Sequence, residues 1–121
     1  MNAHQAYTGS RRHSWTRIDM VIALYQATLN SMEQLEQQLI EGKVLPATQM
    51  KLQRRLLGIL AGLDLSAGDL PMRIAQLVRW ALSQLPTPSP QVWRQVIKSF
   101  RTICEAYESI RSEAAEQELA S

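Results

Sequence analysis

Four stretches of the chain carry apolar residues at helical spacing, and glycine or proline punctuates the gaps between them. The first, Thr16 to Gly42, is the one the rest is organised around. Its start is marked by Thr16, which can accept a hydrogen bond from the N–H of Asp19 while Asp19 reaches back to the N–H of Thr16. Trp15, just outside this cap, is placed to close against Met20. Gly42 supplies the left-handed residue that stops a helix after Glu41. With no proline or glycine between, one continuous helix of roughly 37 Å is expected, at about 1.5 Å per residue.

The two halves of this helix are patterned differently. From Gln26 onward one stripe is apolar, Leu29, Met32, Leu35, Leu39 and Ile40, and the opposite side is Gln, Asn, Ser or Glu, as a solvated face requires. Carried backward, the stripe continues through Tyr25, Ile22, Val21 and Ile18. Met20, Ala23 and Ala27 fall outside it and Leu24 lies at its flank. The first two turns are therefore apolar nearly all round, and such a section is expected to be covered on more than one side. Either another part of the chain covers it, or it forms a groove for a partner segment.

A second helix is expected from about Ala47 to Leu63, with Leu52, Leu56, Ile59, Leu60 and Leu63 on one face. Gly58 and Gly62 weaken it by roughly 1 kcal/mol each relative to Ala, so they are expected to mark close packing. After a break at Asp64–Gly68, Asp69 is the expected N-cap of a third helix bearing Ile74, Leu77, Val78, Ala81, Leu82 and Leu85. It stops at Pro86. Ser89-Pro90 then reads as an N-cap and first-turn proline of a fourth helix, running to about Glu113 with Trp93, Val96, Ile97, Phe100, Ile103, Cys104, Tyr107 and Ile110 inward. Short connections favour antiparallel neighbours. The expected fold is all-α: an antiparallel up-down four-helix bundle over 16–113, with long first and fourth helices. A flexible N-terminal arm (1–15) and a fraying acidic tail (114–121) flank it.

Composition changes this picture little. The 121 residues suit one domain, 45% apolar and 20% charged, neither disordered nor membranous. No apolar run approaches the ~20 residues that cross a bilayer, and residues 1–15 lack the apolar centre of a secretory signal. A cytoplasmic location and no membrane partner are expected. The charge is uneven: nine Lys or Arg between Gly42 and Cys104 face only Asp64 and Asp69, whereas five Glu after Cys104 face Arg111 alone. The bases are scattered over three helices without an aromatic ladder, so a solvated surface rather than nucleic-acid binding is expected.

Catalysis and cofactors find no footing in these residues. The two histidines, His4 and His13, precede the helices, and no inward Glu-x-x-His pairs exist to hold metal. The single Cys104 sits on an apolar stripe and reads as a buried hydrophobe rather than a nucleophile. No phosphate-binding glycine loop or nucleophile elbow is present. The expectation is a protein that is not an enzyme, carries no cofactor or metal, and acts through apolar surface.

Several motifs resemble the flagellin-specific export chaperones, the FliS type. Asn2-Ala3-His4-Gln5-Ala6-Tyr7 is similar to their N-x-x-Q-x-Y opening, and Thr16 through Leu24-Tyr25 resembles their capped first helix. Leu63-Asp64, Gly68 and Ile74-Ala75-Gln76-Leu77 resemble their link from second to third helix, and Phe100-Arg101 leading to Tyr107 their aromatic close. The likeness spans about residues 2 to 111. Arg17 stands where the family has proline, Gln26-Ala27 where Asp-Gly is common, and Leu77–Leu82 replaces a tyrosine-rich run. The resemblance implies a cytoplasmic chaperone that holds the disordered C-terminal segment of flagellin, prevents its polymerisation and delivers it to the export apparatus, with an export-gate component as a further partner. A client helix would lie on Met20, Ala23, Leu24 and Ala27, with Tyr7 of the arm covering client-binding surface when no client is bound. The alternative is a structural or regulatory bundle that self-associates or binds another helical client. A monomer or weak homo-oligomer is expected.

Overall fold

The computed structural model describes residues 17–120, with side chains to residue 119. It is all-α: α1 (Arg17–Glu41), α2 (Pro46–Gly62), α3 (Asp69–Gln84) and α4 (Pro90–Ala120), with a 3-10 turn at Leu65–Ala67 between α2 and α3. The helices pack in a ring in which α1 lies against α2 and α4, and α3 against the same two. Ion pairs fix the sense of the largest interface. Asp19 meets Arg111, Glu33 meets Arg101 and Glu36 meets Arg94, so α4 descends as α1 climbs. Near the other seam Gln49, early in α2, donates to the carbonyl of Leu85 at the end of α3 (3.0 Å). Those two helices therefore also run in opposite directions.

The expected stops are physical ones. At Gly42 (φ +73°) the Lys43 N–H bonds the Gln38 carbonyl (2.9 Å) and the Gly42 N–H bonds the Leu39 carbonyl (3.1 Å). This is the Schellman arrangement, which satisfies the last carbonyls of α1. Gln38 then bridges the turn: its Oε1 accepts from the Leu45 N–H (3.0 Å) and its Nε2 donates to Thr48 Oγ1 (2.8 Å). Ser89 caps α4 by accepting from the Val92 N–H (3.3 Å), with Pro90 in the first turn. The cap of Thr16 and the closure by Trp15 lie outside the described residues.

Four expectations are corrected. Asp69 is inside the first turn of α3, where its charge suits the helix N-terminus, and Gly68 (φ +123°) holds the cap position. Gly58 and Gly62 pack against nothing, since a Cβ built on either meets no atom within 4 Å. The segment after Glu113 is helical to Ala120. It lacks any helix breaker and is built from Ala, Glu, Gln and Leu, so extending the existing helix costs little. Just before that segment Ile110 is exposed rather than inward, and Ile40, at the other end of the molecule, is exposed too.

The core lies where the stripes placed it. Met32, Leu35, Leu52, Leu56, Ile74, Val78, Trp93, Val96 and Phe100 are fully buried. Tyr25 binds α1 to α4, tilted against Phe100 and edge-on to Tyr107, each at 5.4 Å between ring centroids.

Candidate functional site

The burial of α1 reverses the expected contrast between its halves. Its second half is covered over a wide face, because α2 packs on it: Thr28 and Ser31 are buried alongside Leu35. Two hydroxyls fit there because each bonds its own helix, Thr28 Oγ1 to the Leu24 carbonyl (2.8 Å) and Ser31 Oγ to the Ala27 carbonyl (3.2 Å). Ser31 was thus misread as part of a solvated face. The first two turns, by contrast, are not covered on all sides by the described chain.

The reason is length. Thr48 sits beside Gln38, so the 14 positions from Thr48 to Gly62 carry α2 down to about the level of Leu24, where it ends. The apolar face of α1 continues past that point. Met20 is 64% exposed, Leu24 37%, and Ala23 is exposed between them, while Ala27, still beside the last turn of α2, is half-buried. The four candidate positions form one continuous line on α1, open at the lower three and partly shielded at the fourth. Tyr7 lies outside the described residues.

A second exposed apolar surface escaped the sequence reading. Pro46, Gln49, Met50 and Gln53 of α2 face Leu82, Leu85 and Pro86 across a shallow groove of about 290 Å³. Seven residues beyond Met50, on the same side of α2, stands Leu57; on α3, Met72 and Arg79 precede Pro86 at the same interval. Met50, Leu57 and Met72 are each about half exposed. The signal was present in the sequence. These are apolar residues set far off the core stripes of α2 and α3, where a fully solvated face would be polar.

The titratable groups of the interior are held neutral. Burial, helped by the nearby Glu108 carboxylate, pushes the Cys104 thiol up to about 11. Burial raises the phenols of Tyr25 and Tyr107 as well, and the neighbouring Tyr107 phenol raises Tyr25 further. A thiol this reluctant to ionise is a poor nucleophile at neutral pH. On the surface, Asp64 accepts from the N–H and hydroxyl of Ser66, which holds its carboxyl below the usual range and fixes the link before α3.

Among the described residues no helix is long and apolar enough to cross a membrane. Comparison with protein-family models, with curated proteins and with solved structures gave no match.

Proposed function

We propose that this protein is a chaperone of the flagellin-export type, binding the disordered C-terminal segment of flagellin as a helix laid on its apolar surface in the cytoplasm, and passing it to the export apparatus. The observation that carries the reading is the step on α1, where Met20, Ala23 and Leu24 stand open with no polar atoms to hydrate. A helix with its own apolar stripe hides that stripe by lying there, in the helix-in-groove mode. Methionine at the rim lets one surface repack around different side chains. The motifs of the first helix and of the link before α3 support the assignment of client.

Calorimetric titration of the protein with a peptide of the C-terminal segment of flagellin from its own organism tests it. One-to-one binding is expected. Ala23→Glu is the diagnostic variant, since Ala23 is exposed whereas Ala27 is partly enclosed. Burying the new carboxylate against an apolar client should weaken binding by about 2–3 kcal/mol, while urea unfolding shifts by less than about 0.5 kcal/mol. Absence of binding by the unmodified protein sinks the proposal. Binding that Ala23→Glu leaves untouched moves the client off α1.

A further inference from the structure

We propose that the acidic end of α4 in one copy docks on the basic outer face of α2 and α3 in a second copy, a contact independent of client binding. Three ion pairs are formed among the described residues, and all three tie α4 to α1. The helices α2 and α3 carry Lys51, Arg54, Arg55, Arg73 and Arg79 against Asp69 alone, and none of these cations enters an ion pair among the described residues. Two of them frame the apolar seam. The Gln49–Leu85 hydrogen bond sets the register. Arg54, five residues on from Gln49, and Arg79, six before Leu85, therefore stand at one height, Arg54 outward on α2 and Arg79 on the side of α3 that Pro86 shares. Both are exposed, with Met50 and Leu57 beside them.

The complementary element is in the same chain. After Arg111 meets Asp19, α4 runs on past the start of α1 with Glu113 and Glu116 and with Leu119 89% exposed. Its nine residues from Ser112 to Ala120 extend about 13 Å, matching the roughly 10 Å between Met50 and Leu57 on α2. The negative end of the helix dipole adds to the carboxylates in attracting the two guanidinium groups. Leu119 gains a dry seat in the seam. The tail cannot reach its own α2–α3 face, because α4 packs on α1 and α3, makes no interface with α2, and points away beyond the start of α1. A second copy is therefore required. The two surfaces differ, so the contact is head-to-tail and can repeat.

Sedimentation of the full chain tests this over about 10 µM to 1 mM, the range suited to a contact much smaller than a standard interface. Association that rises with concentration is expected, weakening at least about ten-fold between 0.05 and 0.5 M salt as exposed charges are screened. Deleting residues 113–121 should leave a monomer. So should Arg54→Glu with Arg79→Glu, and so should Glu113→Arg with Glu116→Arg, each with unchanged helical circular dichroism. An equimolar mixture of the two charge-reversed proteins should associate again, because each reversed face then meets a complementary tail. A chain that stays monomeric to 1 mM, association that survives the deletion, or a mixture that fails to associate overturns the proposal. Ala23→Glu, which disables the client surface, should leave self-association unchanged, so the two readings fail separately.

Discussion

Single residues separate what is packed from what is merely apolar. Phe100 is fully buried, on the seam between α1 and α4 and in contact with Tyr25. Phe100→Ala should cost about 3–5 kcal/mol, from lost transfer energy and the cavity left behind. Urea unfolding measures it, and a loss below ~1 kcal/mol would mean that the seam collapses around the gap or is not core. Gly58 makes the opposite case. It lies mid-helix with an ordinary negative φ and open space where a side chain would be. Gly58→Ala should therefore stabilise the protein by about 0.5–1 kcal/mol, by restricting the unfolded chain and improving helix propensity. A higher urea midpoint at unchanged slope is the expected result. Destabilisation would show that the open space beside Gly58 is filled in solution.

Elements were legible in the sequence where their signals were local. Pro90 opens α4, Gly42 closes α1, and Ser89 caps α4, all by backbone chemistry that a short window contains. What depends on a neighbour was not legible. That Ser31 and Thr28 are buried follows from where α2 lands, and that Met20 is open follows from where α2 ends. The same holds for Ile110, which fits the periodicity of α4 but lies where the helix has outrun the much shorter α3. The candidate line on α1 could thus be drawn from periodicity, but its exposure could not. Gln38 shows how far the elements rely on one side chain between them. It bonds the Leu45 N–H and the Thr48 hydroxyl, so it sets the angle at which α2 leaves α1. Gln38→Ala removes both bonds, and because the site is partly exposed a loss of about 1–2 kcal/mol is expected from urea unfolding. Hydrogen exchange should localise the loosening to residues 43–50. Uniform loosening across the bundle would argue that Gln38 is an ordinary surface residue.

Across the whole molecule, cohesion is concentrated where α1 meets α4. That seam holds the three ion pairs found among the described residues and the Tyr25–Phe100–Tyr107 cluster, with Cys104 beside it. The opposite seam, between α2 and α3, is left with a groove and exposed methionines. One side of the bundle is thus built to hold and the other to receive. The holding side has a pH limit that follows from its neutral acids. Burial raises the thiol of Cys104 from 9.0 to about 11 and raises the phenols of Tyr25 and Tyr107 above their ordinary 10.0. The folded chain therefore keeps these protons at a pH where the unfolded chain has released them. By linkage, stability is complete below pH 9 and falls as pH rises. The thiol contributes between about 9 and 11, and the phenols from about 10 upward. The urea midpoint should stay level from pH 7 to about 8.5 and then decline. Cys104→Ala, measured against its own value at pH 7, should delay the onset of that decline to about pH 10, where the tyrosines begin to titrate. Ultraviolet absorbance at 295 nm should show tyrosinate appearing together with the loss of helical signal rather than before it. A midpoint that is flat to pH 11 would mean that the unfolded chain gains nothing by releasing these protons, and that the α1–α4 seam admits water.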